Sequence, residues 1–192
     1  NLGGELRNAT ILFTDIRGFT SMSENMKPEE VVSTLNDYFT EMIDIVFKYN
    51  GTLDKIVGDE LMIVYGAPIS GKDDTENALN TAVEMMLKLD DFNKKRKRNK
   101  LPPINIGIGI NHGSVISGNI GSKEMMDYTV IGDGVNLAAR TESLCKQYGA
   151  KILLTQYTLD ALKATYRTRK VDMVVVKGKT EPVAIYEAVD FH

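Results

Sequence analysis

The sequence predicts an α+β fold, a ferredoxin-like βαββαβ core sheet with helices on one face. Two observations carry this. Short, mostly apolar runs of strand length alternate with two long segments whose apolar residues recur at helical spacing. Turn residues sit where consecutive strand runs must reverse, and the resulting order from the first strand is β-α-β-β-α-β.

Ala9 to Ile16 is the first strand, broken by Arg17-Gly18. Ser21 and Glu24 have the spacing of a capping box and predict a helix start. Pro28 suits the first turn of a longer helix, in which Val31, Leu35, Tyr38, Met42 and Val46 recur to about Tyr49 before Asn50-Gly51 ends it. Thr52–Val57 and Leu61–Tyr65 flank Gly58-Asp59-Glu60 as a tight hairpin, which places a carboxylate at the tip. Thr75 to about Lys97 is a second long helix with Ala78, Ala82, Met85, Met86 and Leu89 on one side, closed by Pro102-Pro103. Ile104–Asn111, Val115–Ile120 and Tyr128–Ile131 read as strands, and Asp133-Gly134 opens a helix to Tyr148. Lys151–Leu154 is a strand and Gln156–Ala164 a helix. Val171–Val176 and Val183–Ala188 form a closing strand pair around Lys177-Gly178-Lys179.

With 192 residues and 43% apolar content, the chain can bury a sizeable core, and 1–192 reads as one domain. It begins without methionine and enters its first strand almost at once, as expected of a fragment of a longer multidomain protein. A net charge of −3 gives no footprint for nucleic acid. No apolar run is long enough to span a bilayer, so no membrane segment is expected in this piece. The single cysteine, Cys145, cannot form an internal disulfide. That favours a cytoplasmic setting, or the cytoplasmic side of a membrane-attached full-length protein.

Three groups of residues invite chemistry. Asp15 ends a buried strand and Asp59 tips the hairpin, so a central sheet can bring both to one edge, where paired carboxylates suit Mg²⁺. Turn aspartates are also common for backbone reasons alone. The loop Arg17, Gly18, Phe19 and Thr20 precedes a helix, where backbone N–H groups favour phosphate, although no Walker spacing is present. Asn136 and Arg140 are four apart and share a helix face, as an ordinary surface pair would too.

Other features have plainer readings. Lys94 to Lys100 is a solvated basic helix end, and His112 lacks a second ligand at metal spacing. Gly107 and Gly109 form a G-x-G with no helix opening after it, so they are not a dinucleotide fingerprint. Cys145 is expected to serve packing.

Four segments, in order, resemble class III nucleotidyl cyclases: Phe13 to Thr20, Asp54 to Glu60, Tyr128 to Arg140, and Val176 to Lys179. The resemblance covers about Glu5 to Ala188 and implies the class III cyclase fold. It implies that Asp15, Asp59 and the Ile16 carbonyl hold two Mg²⁺ ions, with Mn²⁺ able to substitute. Lys55 and Thr129 would read the base, Asn136 would orient the ribose, Arg140 would stabilise the transition state, and Lys177 would contact the triphosphate. Lysine at position 55 accompanies adenine in the family, where guanylyl cyclases typically carry glutamate. Threonine at 129 is similar to a subgroup that includes bicarbonate-responsive enzymes, which makes bicarbonate a candidate activator. Ser114 stands where some cyclase halves have a phosphate-binding arginine. The implied activity is an adenylyl cyclase, making 3′,5′-cyclic AMP and pyrophosphate from ATP in a head-to-tail homodimer with shared sites. The alternatives are a guanylyl cyclase, a diguanylate cyclase, suggested by Val57 to Leu61, or an inactive nucleotide-sensing and dimerisation module.

Overall fold

In the computed structural model, residues 4–176, 178 and 180–189 are described. Among them the chain runs β1 (Glu5–Ile16), α1 (Phe19–Ser23), α2 (Pro28–Lys48), β2 (Thr52–Val57), β3 (Glu60–Tyr65) and α3 (Asp74–Arg98). It continues through β4 (Ile106–Gly121), β5 (Met126–Ile131), α4 (Asp133–Tyr148), β6 (Ile152–Thr155), α5 (Gln156–Ala161), β7 (Thr168–Val174) and β8 (Val183–Ala188).

The sheet order is β2-β3-β1-β4-β6-β8-β7, with β5 paired to β4. Its first four strands are the expected βαββαβ unit. The crossover through α2 passes β3, the crossover through α3 passes β1, and all neighbours in the unit are antiparallel. β1 sits centrally because it is apolar on both faces. Leu12 and Ile16 join Tyr38, Met42, Ala82 and Met85 beneath α2 and α3. Ala9, Ile11 and Phe13 point the other way, towards Ala138 of α4. The two helices of the βαββαβ unit share one face as expected, and α4 adds a layer on the opposite face.

That second layer depends on side chains that are missing from β4. A Cβ on Gly109 would lie 2.2 Å from the backbone nitrogen of Glu142, and one on Gly107 would lie 2.8 Å from Cys145 Cβ. The G-x-G is therefore clearance for a helix, which crosses at backbone contact distance. Cys145 fills the contact as a packing residue. Its thiol donates to the Ile108 carbonyl at 3.4 Å, and burial pushes its pKa up to about 12.

Two expectations about local structure are corrected. Ser21 and Glu24 do not form a capping box: α1 begins at Phe19, with Gly18 as its N-cap at φ 63°, and Glu24 is its C-cap. The left-handed turn at Gly18 starts the helix earlier than a side-chain cap would. The strands read as Ile104–Asn111 and Val115–Ile120 are parts of one continuous strand, β4, whose ladder with β1 runs unbroken through Asn111, His112, Gly113 and Ser114. The reading of two strands breaks the chain at His112-Gly113-Ser114, a polar stretch with a glycine, yet all three pair with β1, as does Asn111. Asn111 is buried with both ends of its amide satisfied, donating to the Gly134 carbonyl at 2.9 Å and accepting from Thr155 at 2.7 Å.

Elsewhere the plainer readings hold. Pro28 occupies the first turn of α2. Lys94, Lys95, Lys97, Arg98 and Lys100 are exposed at the end of α3, while Arg96 turns inward and donates to the Pro102 carbonyl at 2.7 Å. His112 is half-buried, with Nδ1 2.9 Å from Thr10 Oγ1.

Gly109→Ala should destabilise the fold by about 3 kcal/mol, because the new methyl meets helix backbone and not a yielding side chain. Chemical denaturation of the variant against the parent checks this. An unchanged midpoint would mean that α4 is free to shift away from β4.

Candidate active site

The end of β1, the β2–β3 turn and the middle of α4 converge on one group of carboxylates. Gly58, at φ 60°, turns the hairpin and leaves Asp59 at its tip. Asp59 Oδ2 accepts the backbone N–H of Ile16 at 3.0 Å, which fastens the tip to the end of β1. Asp15 shares a side-chain hydrogen bond with Asp59. From the other face, Glu142 reaches across the glycines of β4. One carboxylate oxygen each from Asp15, Glu60 and Glu142 then lie within 4.8 Å of one another.

Crowding of like charges shows in their proton affinities. Burial pushes Asp15 up to about 8, helped by the hydrogen bond to Asp59 and the charges of Asp59, Glu142 and Glu60. Glu142 is pushed up to about 7 by burial and by Glu60, against the opposing pull of Arg17. Glu60 is raised by burial and by Asp59. Several hard oxygen donors with too little positive charge among them fit a divalent cation of the Mg²⁺ or Mn²⁺ type. The group opens on a pocket of about 390 Å³ whose wall includes Asp15, Ile16, Asp59, Glu142 and the loop Arg17 to Ser21.

The expected pair Asp15 and Asp59 is thus brought together, and Ile16 and the loop Arg17, Gly18, Phe19 and Thr20 lie beside it. Glu60 and Glu142 were missed. Glu60 could have been suspected from its place next to Asp59. The signal for Glu142 was the pair of glycines in β4, read earlier only as a failed nucleotide motif.

A second cluster forms elsewhere in the chain. Lys55 on β2 and Thr129 on β5 meet at Asp54, a residue not singled out from the sequence. Thr129 Oγ1 donates to Asp54 Oδ1 and Oδ2, both at 2.8 Å, and Lys55 Nζ lies 3.7 Å from Asp54 Oδ1. Lys55 and Asp59 are neighbours in sequence, yet Lys55 lies within β2 and Asp59 beyond it at the hairpin tip.

Asn136 and Arg140 share an exposed face of α4, and Arg140 Nη1 donates to the Val175 carbonyl at 2.7 Å. This face does not look at the carboxylates of its own chain. At about 100° per residue, Arg140 is turned roughly 200° from Glu142 around the helix, and Asn136 about 240°. Ser114 is exposed, and Lys177 lies outside the described residues. A larger cavity, about 720 Å³, lies between β4, the start of α4 and α5, and its wall includes Leu6, His112, Ile116, Gly132 and Val176. It holds none of the clustered carboxylates, so size does not mark the chemistry here. No helix among the described residues is long and apolar enough to cross a membrane.

Comparison with known proteins agrees with this geometry. The family described as "Adenylate and Guanylate cyclase catalytic domain" matches residues 4–187. An adenylate cyclase of Anabaena cylindrica is 43% identical over 188 residues, covering 94% of this chain and 36% of its own length. The chain therefore spans little more than a third of that relative. Among solved structures, the guanylyl cyclase Cya2 is 41% identical with a TM-score of 0.87, covering 97% of this chain and 93% of its own. The adenylyl cyclase CyaB from P. aeruginosa is 36% identical with a TM-score of 0.89, covering 98% and 97%.

The carboxylate cluster has a consequence for stability. Folding raises the pKa of Asp15 from 3.8 to about 8, so between these values the folded chain binds more protons than the unfolded one. Its stability then falls as pH rises through that window. Without divalent cations, Tm should fall from about pH 6 to about pH 8.5; added Mg²⁺ should raise it more at the higher pH, and Asp15→Asn should flatten both trends. Thermal melts across pH with and without Mg²⁺ read this directly. A Tm that rises over the range, or a Mg²⁺ shift independent of pH, would contradict the cluster.

Proposed function

Because this chain belongs to the adenylate and guanylate cyclase catalytic domain family, we propose that it is an adenylyl cyclase domain, converting ATP to 3′,5′-cyclic AMP and pyrophosphate at sites shared between two copies. The observation that carries the choice of ATP is the meeting of Lys55 and Thr129 at Asp54. It supports a base-reading pair that acts as one unit. Whole-chain similarity cannot make this choice, since the similar solved structures include cyclases of both kinds.

In this reading, Asp15, Asp59 and the Ile16 carbonyl hold two Mg²⁺ ions, for which Mn²⁺ can substitute. When bound, these ions neutralise the triphosphate and acidify the ribose 3′-hydroxyl. The loop Arg17 to Thr20 lies along the phosphates, and Lys177 contacts them by resemblance. Asn136 orients the ribose so that its 3′-oxygen is in line with the bond to be broken. A bond forms from this oxygen to the α-phosphorus, the bond from that phosphorus to the bridging oxygen breaks, and pyrophosphate leaves. The hydroxyl proton passes to a carboxylate such as Asp15, to solvent or to phosphate. Arg140 offsets the charge that builds on the five-coordinate phosphorus.

Helix periodicity supports sharing of the site. Asn136 and Arg140 are turned away from the carboxylates of their own chain, so the same chain does not readily supply both halves. β2, β4 and β5 also leave Ile56, Val57, Ile116, Tyr128 and Ile131 exposed. Such a surface suits a second copy in head-to-tail arrangement.

The purified domain, assayed with ATP or GTP and Mg²⁺, should yield cyclic AMP in preference to cyclic GMP or cyclic di-GMP. The same assay titrated with bicarbonate at fixed pH should show activation if the Thr129 resemblance extends to regulation. Asp15→Ala or Asp59→Ala should lower turnover at least about 100-fold with little change in fold, since each removes a ligand worth several kcal/mol of charge stabilisation. Turnover near the parent value in either variant would sink the metal assignment.

Subunit mixing tests the sharing. When Asp59→Ala chains exchange freely with Arg140→Ala chains, about half of the dimers are mixed, and each mixed dimer has one intact site of two. About a quarter of the parent activity should therefore return. Activity that stays at the level of the separate variants, despite demonstrated exchange, would place the whole site within one chain.

A further inference from the structure

Asp54 has no part in the chemistry above, yet it holds the two base-reading side chains together. Its side chain is only 5% exposed. Both of its carboxylate oxygens stand 2.8 Å from Thr129 Oγ1. An ionised carboxylate has no hydrogen to give, so this contact has a single polarity: threonine donates and aspartate accepts. A hydroxyl has one proton, and here Asp54 takes it. Thr129 is left with lone pairs to offer a ligand. Lys55, 3.7 Å from the same carboxylate, can only donate.

Adenine and guanine differ at the two positions this pair would meet. Adenine carries an exocyclic amino donor where guanine carries a carbonyl acceptor. At the adjacent ring nitrogen, adenine accepts and guanine presents an N–H. A lysine donor beside a threonine acceptor complements adenine at both positions and opposes guanine at both. Without a fixed partner, a threonine hydroxyl rotates and can donate to a carbonyl as readily as it accepts from an amine.

Resting on the reading that Lys55 and Thr129 face the purine, we propose that Asp54 is a specificity-positioning residue. By taking the proton of Thr129 it sets the hydroxyl as an acceptor, and so selects an amino-bearing purine edge over a carbonyl-bearing one. Asp54 itself does not touch the nucleotide. Its effect is felt in the ratio of the two substrates and not in the chemical step.

Steady-state kinetics with ATP and GTP on the parent, Asp54→Leu, Asp54→Ala and Thr129→Val test this. In both Asp54 variants the ratio of kcat/KM for ATP to that for GTP should fall at least about tenfold, because Thr129 regains a free proton. Asp54→Leu keeps the shape of the side chain without an acceptor and decides the question if Asp54→Ala fails to fold. A parallel loss on both substrates with an unchanged ratio would mean that Asp54 only supports the fold, and would overturn the proposal. Thr129→Val separates the two levels of inference. A parent that prefers ATP but keeps its ratio in Thr129→Val would show that Thr129 does not read the base at all, which overturns the underlying reading along with the proposal. A ratio that moves in Thr129→Val and stays fixed in Asp54→Leu overturns the role of Asp54 alone.

Discussion

Where α4 crosses β4, the helix backbone at Glu142 rests on Gly109, the Cys145 side chain packs over Gly107, and the start of the same helix, at Gly134, lies against the Ser114 carbonyl. No L side chain fits at these positions without moving the helix, so the approach distance and rotation of α4 are set by backbone against backbone. Both the carboxylate cluster and the placement of Asn136 and Arg140 depend on that. On its inner side α4 presents Glu142 to the carboxylates of β1 and β3, and on its outer side it presents Asn136 and Arg140. A helix held at ordinary side-chain distance would leave Glu142 short of Asp15 and Glu60.

The carboxylate cluster works against the stability of the fold that builds it. Asp15, Glu60 and Glu142 are drawn together in a partly buried place, and each holds its proton more tightly than it would in water. Arg17 offsets part of this for Glu142. Local conflict of this kind, in a chain whose strands and helices are otherwise mutually consistent, is expected where a ligand completes the electrostatics. A divalent cation is the simplest such ligand, being compact, oxygen-seeking and doubly charged.

The β2–β3 hairpin carries residues of both clusters, Lys55 and Asp54 on its rising strand and Asp59 at its tip. An extended strand is stiff enough to hold them apart, and its alternation lets neighbouring residues serve different surroundings. Overall similarity to solved cyclases of both kinds reflects the shared fold. In the proposed reading, the choice of base rests on Lys55 and Thr129, with Asp54 behind them.

Strands and helices were legible in the sequence because their signals are local: β1 in its apolar run, α2 and α3 in their spacing, the hairpin in Gly58-Asp59. Candidate site residues could also be named from the sequence, since Asp15, Asp59, Lys55, Thr129, Asn136 and Arg140 lie in segments that resemble a known family. The continuity of β4 through His112-Gly113-Ser114 was not, because a polar stretch with a glycine reads as a turn until β1 pairs alongside it. The start of α1 was misplaced because capping-box spacing at Ser21 and Glu24 says nothing of the left-handed turn at Gly18. Only the tertiary structure brought Glu142 to Asp15 and Thr129 to Asp54. Those contacts join segments far apart in the chain, and no local period or turn rule constrains the distance between residues that meet only when a sheet closes beneath a helix.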